Sequence, residues 1–364
     1  MAQPVVLAPM AGITDAPYRL LCASYGGGLY VSEMVTARGL VESGVRSWQM
    51  AAHHPQERIR SIQLFGSDPK VMGEAVKRLV NELPIDHIDL NFGCPVAKVT
   101  RNGGGAALPY KRNLFAAVVA EAVRNAGEVP LTIKMRMGLD DQRLTYLEAG
   151  KIAAEAGVAA IALHARTAIA GYSGLARWEA IGLLREEVDA SVPVLGNGDI
   201  WQADDAIEMM NQTSCDGVVI GRGCLGRPWL FEDLARVFRG EKAQGPPPLG
   251  EVSAMLLRHL ELMIEWYEQE RYAVHRMRKH ISWYLAGYPV GASVRQRTNN
   301  LETLEDVQQM CASLDPRTEI LPSGISAPRG RTDAMKRLVL PQGWLDNPDA
   351  MAQVADPLGT VSGG

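Results

Sequence analysis

Cysteine is scarce in this chain and nowhere paired. The 364 residues hold five, Cys22, Cys94, Cys215, Cys224 and Cys311, an odd number with no C-x-x-C spacing. Neither a disulfide framework nor a zinc site is indicated, and a reducing, cytoplasmic setting is expected. No run of about 18 apolar residues occurs and the start lacks a charged, then apolar, leader, so neither a membrane nor a secretory route is expected. There is no H-E-x-x-H and no clustered acidic set, which argues against a metal. A net charge of -4 gives no global basic signature, so a nucleic-acid partner would need a local patch. With 47% hydrophobic and 21% charged residues, the chain is long enough for one large core and a second, smaller unit.

What is present is a rhythm. Eight β-rich runs begin at Val5, Leu29, Arg58, His87, Leu131, Ala159, Val192 and Gly217, separated by stretches whose apolar residues recur at three and four. Eight such units in about 235 residues match a (β/α)8 barrel. A doubly wound sheet would usually carry G-x-G-x-x-G after its first strand, and none stands there. The barrel is expected over 1–240, followed by a Gly/Pro-rich linker over 241–250 containing three consecutive prolines. A small bundle of amphipathic helices is expected over 251–313, and an irregular, partly disordered tail over 314–364.

Function in such a barrel sits where the strands end. The runs end in Pro9-Met10-Ala11-Gly12, Ser32-Glu33-Met34, Gln63, Asn91-Phe92-Gly93-Cys94, Lys134-Met135-Arg136, His164-Ala165-Arg166, Asn197-Gly198-Asp199 and Gly221-Arg222-Gly223. The last two suit a phosphate, because glycines let backbone N–H groups approach an anion and Arg222 adds a fork of donors. Lys134 lies inside an apolar strand. Three readings stay open there: a Schiff base, a counter-charge to a reduced cofactor ring, or a lysine snorkelling to solvent. Cys94 stands between Gly93 and Pro95, which fix a turn, and precedes Gly103-Gly104-Gly105. Proton donation is at least as reasonable for it as nucleophilic attack.

Taken together, LAPMAGITDAPYR, SEM, IQLFG, NFGCP-x-x-KV with GGGAAL, IKMRMG, HARTAIAGY, GNGDI and DGVVIGRG resemble the tRNA-dihydrouridine synthases from about Val5 to Leu301. The resemblance implies an FMN-binding barrel with a helical domain that reduces the C5–C6 bond of particular tRNA uridines, using NADPH (or NADH). It implies Pro9, Met10 and Ala11 against the flavin ring, with Gln63 and Lys134 at its polar edge. His164, Asn197, Gly198, Asp199, Gly221 and Arg222 would hold the ribityl chain and phosphate. Asn91, Arg136 and Tyr172 match positions that contact the target uracil, and Cys94 would be the general acid. Because a stacked base is out of reach, the uridine must be flipped out, and Lys98–Gly105 is the expected mobile loop. The tRNA body would meet the helical domain through two basic runs, His275–His280 and Arg295–Asn300. A monomer is expected.

Three other readings stay open: an enzyme like dihydroorotate dehydrogenase acting on a free pyrimidine, a Schiff-base aldolase through Lys134, and a non-catalytic RNA-binding barrel.

Overall fold

A computed structural model describes residues 3–351, so 352–364 of the expected tail lie outside the described residues. Eight parallel strands close into a barrel in chain order: β1 Val5–Leu7, β2 Leu29–Thr36, β3 Ser61–Phe65, β4 His87–Phe92, β5 Leu131–Arg136, β6 Ala160–His164, β7 Val194–Asn197 and β8 Gly217–Ile220. The eight expected runs are the eight strands. β2 outlasts its expected ending, with a register shift between Val31 and Met34.

The outer helices begin where local chemistry lets them. Before Pro69–Glu82, for example, the Asp68 carboxylate accepts from the N–H groups of Lys70 and Val71. Pro69 occupies the first turn, where its missing N–H has no helical partner to lose. Successive strand residues alternate between the helix layer and the barrel interior. Val6, Ala8, Leu29, Val31, Ala162, Leu195 and Val219 form an apolar interior cluster. Across β3 to β5 the corresponding face is polar, and its side chains bond one another: Ser61 to His87 Nδ1 at 2.7 Å, His87 Nε2 to Thr132 at 3.0 Å, and Thr132 to Asp89 at 2.6 Å.

After the barrel, α1 spans Leu249–Tyr267, α2 spans Glu270–Tyr284, a short helix covers Gly291–Arg297, and α3 spans Leu304–Ala312. Glu268, in the left-handed region, ends α1. These helices share a core that takes in Leu21 and Trp229 from the barrel side. Asp15 secures the same contact, accepting from the Tyr267 hydroxyl at 2.7 Å and from Arg276 at 3.1 Å.

From Leu314 to Met351 the one regular element is Pro322–Ile325, and this irregular segment is packed onto the barrel and the helical domain. The buried Arg329 donates to the carbonyls of Leu225, Trp283 and Ala286, and Trp344 is 3% exposed.

Candidate active site at the barrel mouth

The strand register gathers the chemistry. Met34 pairs with Gln63, Gln63 with Asp89, Asn91 with Lys134, Arg136 with His164 and His164 with Asn197. Equivalent positions on neighbouring strands lie at one level of the barrel, so these side chains ring its C-terminal end. Every residue expected at the site lines one cavity there, of about 2260 Å³. That exceeds the roughly 300–1,000 Å³ of an ordinary small-molecule pocket and leaves room for two large ligands.

Cys94 is held by its backbone. Asn91 Oδ1 accepts from the N–H groups of Gly93 at 3.1 Å and Cys94 at 2.9 Å, while Asn91 Nδ2 donates to Gln63 Oε1 at 2.8 Å. Gln63 in turn donates to Asp89 at 2.7 Å. Asn91 Oδ1 therefore shapes the cysteine turn, while its Nδ2 ties the residue to Gln63. Burial pushes the thiol above its ordinary value, against smaller opposing effects of the Val96 N–H and Arg136. The group at this turn is a neutral thiol.

The following glycines are not a free loop. Gly105, at φ +55°, brings its Cα so near the Cys94 carbonyl that a Cβ would lie 2.5 Å from that oxygen. Ala106 N–H donates to the same carbonyl at 3.0 Å. Lys98–Gly105, expected as a mobile loop, contains the end of a short helix, Ala97–Thr100, and its Thr100 hydroxyl bonds Val339 O at 2.6 Å.

Across the mouth, Lys134 Nζ donates to Asn197 Oδ1 at 2.9 Å, and Asn197 Nδ2 donates to Val219 O at 2.7 Å. Burial, helped by Arg136 and opposed by Asp89, brings Lys134 down to about 8. It stays mainly charged at neutral pH, which favours a counter-charge over a nucleophilic amine. Burial, then Arg136, Lys134 and other cations, drive His164 well below its ordinary range, leaving it neutral. Arg136, itself buried, donates to the carbonyls of Gly93, Thr167 and Gly171 at 2.8 to 3.0 Å. It ties the cysteine turn to the loop after β6.

Tyr172 sits beside two guanidinium groups, Arg222 at 4.5 Å and Arg136 at 5.5 Å from its ring. Arg222 also stacks on Trp201 at 5.0 Å and reaches Asp199 at 3.3 Å. Asp199 is bound by Arg166 at 2.7 Å and by the Ala176 N–H at 2.7 Å. Its carboxylate therefore orders the cations around it. Arg166 Nη1 is buried without a hydrogen-bond partner. It lies 3.8 Å from where a Cβ on Gly198 would stand.

Several contributors escape a reading of the sequence. Asp89, raised by burial to about 6, and Thr132 belong to the polar chain behind Gln63. The alternations His87-Ile88-Asp89-Leu90-Asn91 and Thr132-Ile133-Lys134-Met135-Arg136 are the signals that find them. The basic run His275–His280 has partners that the sequence does not announce. His275 and Arg278 bind Glu302, Arg276 binds Asp15, Lys279 binds the Gly12 carbonyl, and Met277 and His280 are buried. Most of its charge has a partner within the protein, although His275 and Lys279 stay exposed, and Arg295 and Arg297 are exposed as well.

Among the described residues no group of three or more acidic, histidine or cysteine side chains is placed to hold a metal, and no helix is long and apolar enough to cross a membrane.

The chain is similar to a probable tRNA-dihydrouridine synthase of Mycobacterium tuberculosis, at 46% identity over 99% of this chain and 95% of that one. It is 38% identical to tRNA-dihydrouridine synthase B of Pseudomonas aeruginosa, over 85% of this chain and 91% of that protein. Among solved structures, histamine dehydrogenase from Rhizobium sp. 4-9 superposes with a TM-score of 0.52 at 12% identity, covering 86% of this chain and 63% of that one, a likeness of fold alone. A family model described as dihydrouridine synthase matches residues 6–318. With strands, cysteine turn and strand-end cations all inside that span, the chain belongs to the dihydrouridine synthase family.

Proposed function

We propose that this protein reduces the C5–C6 bond of uridines in tRNA, with FMN bound in the barrel mouth and NADPH (or NADH) as reductant. The observation that carries the reading is a neutral thiol, Cys94, fixed by Asn91 in the same cavity as the buried ammonium of Lys134.

The residues present fit a flavin mononucleotide. The unpartnered Arg166 Nη1 faces the Gly198 turn, and a Cβ on Gly221 would meet nothing closer than 3.8 Å, so this rim has donors and space for a phosphate. Arg222 and neutral His164 flank it. Pro9, Met10 and Ala11 supply the apolar edge for a ring, and Gln63 and Lys134 its polar edge. Bound there in its reduced form, FMN would supply the hydride for C6 of the uracil.

The chain's own part is then electrostatic and protic. Lys134, desolvated and held by Asn197, stabilises negative charge at the ring edge. Cys94 Sγ gives its proton to C5, where charge develops as C6 is reduced. A thiol that stays protonated at neutral pH has the proton to give. Asn91 holds the cysteine turn to Gln63 on β3 and Arg136 holds it to the loop after β6, while Tyr172 offers a ring face to the flipped base.

The test is spectroscopic. Purified protein, reconstituted with FMN where needed, should show a flavin spectrum that NADPH bleaches and that tRNA lacking dihydrouridine restores. Failure to bind FMN would refute the reading. Restoration by free uracil without tRNA would favour a dehydrogenase of free pyrimidines instead.

A further inference from the structure

Beyond residue 318, where the family match ends, the chain returns to the mouth. It crosses from the loop after β8 to the loops after β6 and β4. Arg222 donates to the Arg331 carbonyl at 2.6 Å, Tyr172 N–H to the Asp333 carbonyl at 3.0 Å, and Met335 N–H to the Ile169 carbonyl at 3.0 Å. Thr100 then takes Val339 O, and Trp344 Nε1 donates to the Ala107 carbonyl at 3.1 Å. Trp344 packs directly over Gly103, and Arg112 closes the strap on Asp349 through two bonds of 2.7 and 3.0 Å.

The anchors between Arg331 and Val339 are backbone atoms, which leaves the side chains free. Arg331, Lys336 and Arg337 are exposed, make no bond or ion pair through their side chains among the described residues, and line the same cavity as Cys94. Within 331–339 the only carboxylate is Asp333. This concentration of cations stands in a chain of net charge -4. It is also set out along an exposed rim, without converging on a buried point, which suits a row of phosphates better than one small anion.

We propose that this strap is an RNA-binding wall of the active-site mouth, in which Arg331, Lys336 and Arg337 contact phosphates flanking the flipped uridine. The proposal rests on the tRNA reading above. It gives the mouth free cations where the helical run His275–His280 has most of its own engaged.

The test is filter binding of unmodified tRNA to the full-length protein across a salt series, for wild type and for Arg331→Gln/Lys336→Gln/Arg337→Gln. Thermal melting serves as the check on folding, since the substitutions leave the anchoring carbonyls in place. The triple variant should melt like wild type and bind tRNA about ten-fold or more weakly. Its slope of log K against log salt should fall by about two, at roughly 0.7–0.9 for each phosphate that is no longer neutralised. Lys77→Gln/Arg124→Gln/Arg239→Gln, which removes three cations outside the cavity lining, should bind like wild type. Unchanged affinity and slope in the strap variant would overturn the strap proposal and leave the tRNA reading standing. Wild-type protein that neither binds nor reduces tRNA would overturn both.

Discussion

Replacing Asn91 with alanine probes the geometry of the site most sharply. The side chain accepts from two backbone N–H groups, of Gly93 and Cys94, and donates to Gln63 Oε1. Gln63 is fully buried, so its oxygen would lose its partner with no water at hand, whereas the cysteine turn is half-exposed and water can reach it. At about 1–3 kcal/mol for a polar group left unsatisfied in a buried position, the loss of this one partner should come to about 1–3 kcal/mol of stability. The catalytic effect should be larger. A turn released from Asn91 lets the thiol drift, and a displacement of about 1 Å can cost on the order of 100-fold in rate. Stopped-flow reoxidation of reduced enzyme by tRNA, alongside thermal melting, reads both effects. Asn91→Asp keeps the acceptor for both N–H groups but sets a carboxylate oxygen against Gln63 Oε1, so it should recover part of the rate while staying less stable than wild type. If Asn91→Ala melts and turns over like wild type, the claim that Asn91 sets the cysteine turn is wrong.

Two further predictions follow from the charges. Because burial raises Cys94, its proton is present below the raised value and lost only as pH climbs through it. The tRNA-reduction step should therefore stay level across the region near 8.5 where an exposed thiol titrates, and a midpoint in that region would contradict the burial argument. Lys134, lowered to about 8, gains a negative neighbour when reduced, anionic flavin occupies the mouth, which raises it again. Binding of reduced FMN above pH 8 should take up a proton, as buffer-dependent calorimetric heats under anaerobic conditions would show. Lys134→Met should fold normally, retain FMN at least ten-fold more weakly and show no such uptake; undiminished uptake would assign the proton elsewhere.

The barrel is legible in the sequence because its strands are short, β-branched and regularly spaced, and because polar residues at strand ends have few structural uses. Pairings between distant segments are not legible. Nothing in His275–His280 announces that Glu302 and Asp15 occupy its charges, since those partners arrive from other elements. The resemblance implies Asn91 against the base; what the string does not show is that its Oδ1 accepts from two N–H groups of its own turn. The tail is hidden for a different reason: its anchors are mostly carbonyls, such as those of Arg331, Asp333 and Val339, and a carbonyl carries no sequence signature. Trp344 is the one side chain there whose burial a sequence hints at.

The central claim is that Cys94 supplies the proton, separately from hydride delivery. Cys94→Ala, loaded with FMN, divides the two half-reactions in one experiment. NADPH should bleach its flavin at the wild-type rate, while reoxidation by tRNA lacking dihydrouridine should slow by about 100-fold to 10,000-fold, the range for loss of a general acid. Reoxidation by tRNA at the wild-type rate would contradict the account.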